Sequence, residues 1–354
     1  MKSFPIDQPS AARAGETPDL KELNSYLYVH VPDLGEMQSI TQFPSGYSNL
    51  TFCLTTKDKE FILRRPPVGA NIKSAHDMGR EFNVLSKLKK HYPKVPAPIA
   101  YCESEEIIGA PFYIMERMQG VILRATNAPK LSITAELFEK LSKALVDNLV
   151  ELHALDIHKT GLSELGKPEG YVQRQVEGWI KRYYAAETDK LEEMNSLAAW
   201  LQKNLPNDQP PAFLHNDYKY DNVILDPQDL SKIIGVLDWE MATVGDPLMD
   251  LGASVAYWSE AGDDPVLRSF NLTSLPGNIS RQKFVDRYAG KSKRDVSKIL
   301  FYYVFGLFKN AVIAQQIYAR WKQGFSNDSR FGGLLIVIKS LSKQGVDSLN
   351  KQKV

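Results

Sequence analysis

His215, Asp217 and Asn222 stand in the order H-x-D-x-x-x-x-N, and Asp238 follows sixteen residues after Asn222, at the end of an apolar run. These residue types suit phosphoryl transfer to a hydroxyl group. A carboxylate beside the nucleophile can orient it and take its proton, the part that falls to Asp217. Hard oxygen ligands can hold a magnesium ion that neutralises phosphates, the part that falls to Asn222 and Asp238. Glu240 could add a further carboxylate, directly or through water, and Lys219 is placed to reach a transferring phosphate. A solvated loop lysine is the alternative for Lys219. For the pattern as a whole the alternatives are a chance match and a metal-dependent hydrolase built on His215, Asp217 and Asp238. The hydrolase would want more histidines near the motif than this chain supplies.

The setting narrows these readings. Residues 211–214 and 223–225 read as short strands on either side of the motif, and residues 233–237 as a third strand that delivers Asp238. Strand, loop, strand, turn, strand, acid resembles the catalytic hairpin of kinases. Finer details are H-N-D in the loop, L-D-W-E at the metal motif, and Gly245-Asp246-Pro247-x-x-Asp250-Leu251 after it. With these the chain resembles the aminoglycoside phosphotransferase and choline kinase superfamily of small-molecule kinases, over residues 40–324. It is most similar to the phosphotransferase domains fused to some acyl-CoA dehydrogenases, through the segment F-K-N-A-V-I-A-Q-Q-I-Y-A-R at 308–320.

The resemblance implies an α+β, protein-kinase-like, two-lobed fold. The N-lobe (1–118) would be a small antiparallel sheet plus a helix, and the C-lobe (119–354) larger, mainly helical, with the catalytic loop and acceptor pocket. It implies ATP and Mg²⁺ as cofactors and a hydroxylated small molecule, such as a hydroxyacyl-CoA, as acceptor. A phosphate-covering loop would then use Ser45, Gly46, Ser48 and Asn49, where a small residue lets the backbone approach phosphate. The full G-x-G-x-x-G of protein kinases is absent. Arg64 stands where that family places a phosphate-holding lysine, a departure that exchanges a point charge for a bidentate fork. Glu81 would be its ion-pair partner. Glu116 and Met118 would sit at the hinge whose backbone meets adenine. The plain alternatives are a hairpin turn, a surface strand arginine and an exposed helix charge.

Apolar spacing predicts helices over residues 19–27, from 134 onward with Leu137, Leu141, Leu145, Leu149 and Leu152 on one face, and over 168–184, 190–205, 280–288 and 295–322. His153 reads as a satisfied core histidine. Trp179, Tyr183 and Tyr184 form an aromatic stripe, either core or acceptor pocket. Lys309 and Arg320 either contact an anionic group or snorkel to the surface. Asp246 and Asp250 flank Pro247 at a helix start and are expected to hold backbone N–H groups.

A length of 354 residues favours two lobes, and 43% hydrophobic with 24% charged residues is ordinary soluble composition. A net charge of +1 gives no electrostatic case for nucleic acid or an anionic membrane, and leaves the oligomeric state open. Cys53 and Cys102 are too few for a disulfide framework, which points to a reducing cytoplasm and two buried thiols. The first residues lack the apolar core of a signal peptide. The apolar window 299–308 is far short of the ~20 residues that span a bilayer. A protein kinase is disfavoured by the missing A-P-E. A non-catalytic nucleotide-binding module and an aminoglycoside or amino-alcohol kinase remain as rivals.

Overall fold

The structure, a computed structural model, describes residues 4–13, 15–43, 49–67, 77–325 and 328–354. Ser45, Gly46 and Ser48, expected in a phosphate-covering loop, lie outside this set. The chain forms two compact units. One is Met1–Ile122 with Val223–Asp229 and Ile234–Glu240; the other is Leu123–Asn222 with Leu230–Ile233 and Met241–Val354. The first unit thus includes the segment carrying Asp238 and Glu240, which a single cut after residue 118 assigns to the helices.

In the first unit, β1 (Ser39–Gln42), β2 (Leu50–Thr55), β3 (Glu60–Arg65), β4 (Pro98–Cys102) and β5 (Phe112–Glu116) form an antiparallel sheet in the order β1-β2-β3-β5-β4. Helix α1 (Leu20–His30) brings Leu23 and Leu27 into a core with Phe52, Leu54, Leu63, Phe112 and Ile114. Helix α2 (Met78–Leu88) starts where the Asp77 carboxylate accepts the Arg80 N–H, and it buries Glu81 beside Val84, Leu85 and Leu88. Strands β7 (Val223–Asp226) and β8 (Asp229–Val236) pair with each other. Val121 and Leu225 exchange backbone hydrogen bonds of 2.9 and 2.8 Å, so the hairpin is tied to the end of the unit's main segment. That close approach explains Gly120. A Cβ there would lie 2.3 Å from Ile224 Cγ2 and 2.6 Å from the Leu225 carbonyl oxygen.

The second unit is helical: α3 (Ala135–His153), α4 (Tyr171–Ala186), α5 (Glu192–Lys203), α6 (Pro247–Ala256), the single turn α7 (Pro265–Arg268), α8 (Arg281–Ser292), α9 (Ile299–Lys322) and α10 (Leu334–Lys351). Helix α9 is apolar on nearly every side because it is surrounded, with α10, α6, α4 and α5 packed against it. Helix α10, which the sequence reading did not draw, sets Ile338 and Leu341 into the core. Strand β6 (Ala212–Leu214) pairs with β9 (Thr243–Gly245), so the strands on either side of the H-x-D motif do not pair with each other. Among the described residues no helix is long and apolar enough to cross a membrane. Cys53 and Cys102 are both free and buried, as expected.

Candidate active site

The charged centre of the first unit is Arg64. It lies on β3, is buried, and is no surface strand residue. Its guanidinium donates to Glu81 Oε1 at 2.5 Å and to Asp238 Oδ1 at 3.2 Å. Burial alone would weaken that charge, but Glu81, Tyr113, Asp238 and Glu240 together hold the arginine well above its ordinary range. Glu81 is 1% exposed, so the exposed-charge alternative fails. Burial raises its carboxyl above the usual range despite Arg64, and Asp238 pushes the same way. The same Oε1 also accepts the Trp239 N–H at 3.3 Å, which locks helix α2 to the L-D-W-E segment. Asp238 itself has φ 67°, a left-handed backbone uncommon for a non-glycine residue. Asn49 is buried and its amide donates to Glu240 Oε2 at 2.9 Å.

The hinge residues are less suited to the part expected of them. The Glu116 N–H donates to the Ala97 carbonyl at 2.8 Å and so is already used within the sheet, while its exposed carboxylate accepts the Ala97 N–H at 3.2 Å. Met118 is half-buried, and its thioether lies over Gly235.

In the second unit the H-N-D loop is held from several sides. Asp250, fully buried, accepts the N–H of His215 at 2.7 Å and of Asn216 at 2.8 Å. Burial would raise its carboxyl, but His153 and the loop N–H groups more than offset this and lower it. His153 sits between Asp250 Oδ2 (3.1 Å) and the Tyr288 hydroxyl (2.7 Å), a satisfied core histidine as expected. Asp246 caps α6 through the Leu248 N–H and accepts the Tyr302 hydroxyl, so both acids brace backbone as their place beside Pro247 implied. Asn216 has φ 65°, and its side-chain amide donates to Met241 O at 3.0 Å.

Asp217 follows this strained residue. The Asn222 amide donates to its carboxylate and to its carbonyl, both at 2.8 Å, and the Lys219 ammonium lies 3.2 Å from Oδ2. Lys219 is therefore no freely solvated loop lysine. Burial opposes the Asp217 charge, yet Lys219, Lys309, His215 and the Tyr257 hydroxyl hold the carboxyl below its ordinary range. Burial likewise works against the Lys219 ammonium, but Asp217, Tyr257 and Asp221 hold it above the ordinary lysine range. Its Nζ stands 4.9 Å from the Tyr257 ring centroid.

Sequence reasoning missed Tyr257, which is forty residues downstream with no motif to mark it. It also left Lys309 undecided. The structure buries Lys309 (4% exposed), which removes the snorkelling alternative, whereas Arg320 is exposed. Trp179 and Tyr183 are buried core, and only Tyr184 of the stripe is open.

Each unit by itself carries groups of the types that a nucleotide phosphate or a hard divalent cation binds. In the first unit Arg64 Nε is buried without a partner among the described residues, a spare donor for an anion, and Asp238 and Glu240 offer carboxylate oxygens. In the second, the Asn222 nitrogen is committed to Asp217, which leaves its Oδ1 without a hydrogen bond among the described residues. Among the described residues no group of three or more His, Cys, Asp or Glu is arranged to hold a metal ion by itself. Magnesium characteristically takes one or two protein oxygens and completes its shell with phosphate and water.

The model of the phosphotransferase enzyme family matches residues 39–279. The chain belongs to that family. It is 35% identical over 314 residues to rat (Rattus norvegicus) acyl-CoA dehydrogenase family member 11, covering 86% of this chain and 40% of the relative. The chain thus spans well under half the length of that curated relative. Among solved structures, a putative aminoglycoside phosphotransferase from Ralstonia eutropha JMP134 superposes with a TM-score of 0.79 at 26% identity, covering 95% of this chain and 99% of that one. Choline kinase from Cryptosporidium parvum Iowa II shares the fold, with a TM-score of 0.65 at 12% identity, over 94% of this chain and 97% of that one. The architecture of this family member is protein-kinase-like: a small antiparallel sheet with its helices and a larger helical unit.

Proposed function

We propose that the chain is a small-molecule kinase that moves the γ-phosphoryl group of ATP, with Mg²⁺, to an acceptor hydroxyl. The observation that carries this reading is the Asp217–Asn222 pair. One amide fixes the Asp217 carboxylate at 2.8 Å and keeps its own oxygen for a cation. Asp217 would orient the acceptor hydroxyl and take its proton, while Lys219 would offset charge beside it. Asn222, Asp238 and Glu240 would supply oxygens for magnesium. Arg64, held by Glu81, would bind phosphate oxygens, with the segment Ser45–Asn49 and the backbone near Met118 as further nucleotide contacts. Bound ATP and its magnesium would supply the transferable group and most of the charge neutralisation. The chain's own contribution is positioning and fixed electrostatics.

For the acceptor we propose a hydroxyacyl-CoA or similar hydroxy compound, since a much longer relative, of which this chain covers 40%, is named acyl-CoA dehydrogenase family member 11. Two lysines near Asp217 argue against an aminoglycoside or another polycation, which carboxylate-lined walls would attract. Calorimetric titration of ATP with and without magnesium tests the nucleotide site. Phosphate transfer to hydroxyacyl-CoAs, amino alcohols and sugars then tests the acceptor. Magnesium-dependent binding followed by transfer to a hydroxyacyl compound is the expected outcome. Binding without transfer to any of them would favour a non-catalytic nucleotide-binding module instead.

A further inference from the structure

Lys309 lies in the interior of α9 and is almost fully buried, yet no carboxylate approaches within ion-pair distance among the described residues. Its one hydrogen bond is to the carbonyl oxygen of Asn216, at 2.9 Å. Its Nζ stands 5.7 Å from the Trp179 ring centroid. An ammonium in such a place is costly, and a methionine would fill the same space without desolvating a charge. The surroundings explain what the charge does. Asn216 is the left-handed residue immediately before Asp217, and its N–H is already gripped by the Asp250 carboxylate. The residue is therefore held by an anion at its N–H and by a cation at its carbonyl, on either side of one left-handed Cα.

We propose that Lys309 is a positioning residue for the catalytic loop, clamping the Asn216 carbonyl so that Asp217 is presented in one orientation. This rests on the kinase reading above only for its effect on turnover. The clamp itself is a statement about the loop backbone. Among the described residues the charged groups bearing on Lys309 are Asp217 and Lys219 from the loop and Asp250 from α6.

The test compares wild type, Lys309→Met and Lys309→Arg by amide hydrogen exchange resolved to peptides, and by ATP turnover with whichever acceptor the wild type uses. Exchange at residues 213–219 is expected to rise at least about tenfold in Lys309→Met, while peptides of α9 and α10 keep wild-type protection. Turnover is expected to fall by about tenfold or more with the ATP KM unchanged, and Lys309→Arg, which can still donate to the carbonyl, should recover part of both. Unchanged exchange at the loop in Lys309→Met would overturn the proposal. So would a rise spread across all the helices with a lowered melting temperature, which would make Lys309 a packing residue. If the wild type transfers no phosphate, the kinase reading fails while the exchange experiment still decides the clamp.

Discussion

The charged cluster at Arg64 and the one at Asp217 are built on different plans. In the first unit a single buried arginine is shared by Glu81 and Asp238, with Glu240 near enough to reinforce it, so side-chain charges hold one another. In the second unit the side chains grip backbone: Asp250 holds two N–H groups, Lys309 a carbonyl, Asn222 the carbonyl of Asp217. A surplus of carboxylate around one guanidinium is suited to a ligand that brings its own cation and anions. A loop fixed through its backbone is suited to keeping one carboxylate aimed. Binding and orientation are separate tasks, and separate substitutions should disable them.

The sharpest separation is Asp217→Ala. Turnover should fall about 10²- to 10⁴-fold, the range for loss of a positioned base. ATP affinity measured by calorimetry should stay within about twofold, because the variant removes an orienting group and not a phosphate ligand. Comparable loss of both would erase the division of labour between the clusters.

Arg64→Met attacks the other cluster. Glu81 would be left buried without its counter-charge, an error worth about 3–5 kcal/mol when one partner of a buried pair is removed. Urea unfolding should show that loss, and magnesium-dependent ATP binding should vanish with it. Arg64→Lys should restore much of the stability and less of the binding, since an ammonium lacks the rigid planar fork that matches phosphate oxygens. A stable Arg64→Met that still binds ATP would mean that the first cluster is structural only.

A smaller effect tests the hairpin that brings Asp238 and Glu240 into the first unit. Gly120→Ala places a Cβ against Ile224 and the Leu225 carbonyl, an overpacking worth about 1–3 kcal/mol. Its signature should be weaker ATP binding with the second unit's hydrogen-exchange protection unchanged. Equal loosening of both units would show that the hairpin supports more than its own cluster.

The sequence was most legible where spacing and chemistry coincide. Asp217 and Asn222 could be picked out together from the H-x-D-x-x-x-x-N spacing, though not the hydrogen bond between them, and Asp246 and Asp250 could be read as braces from their places beside Pro247. Arg64 and Glu81 could be paired only through the family resemblance, because a strand residue and a helix residue seventeen apart share no local pattern. Lys309 was undecidable for a physical reason. Helix α9 is apolar on nearly every side, so periodicity assigns no clear outward face and does not tell a buried cation from one that reaches solvent. Backbone strain at Asn216 and Asp238 was invisible, since both residue types also occupy ordinary conformations. Tyr257 and α10 lay beyond any motif.

A further charged pair tests the contrast through the sign of its pH dependence. Asp263 accepts from Arg281 Nη1 at 2.5 Å and from Nη2 at 3.1 Å, and also takes the Glu260 N–H at 2.8 Å. Burial pushes its carboxyl up, but these donors more than compensate and hold it below the ordinary range. A folded pKa below the unfolded value gives stability that is present above the ordinary carboxylate pKa, about 3.9, and is lost as the pH falls through the depressed value. The stability gap between wild type and Asp263→Asn should therefore close as the solution is acidified. Glu81 goes the other way: burial outweighs Arg64, so its folded pKa is raised and its ionised form loses stability as the pH rises from the unfolded value through the folded one. Glu81→Gln should match wild type in acid and gain on it as the pH rises. Two carboxylates, each paired with a buried arginine, should thus give pH slopes of opposite sign in the same unfolding series. Slopes of the same sign would mean that the Arg64 cluster is not overloaded with carboxylate, and that the contrast between the two clusters lies in geometry alone.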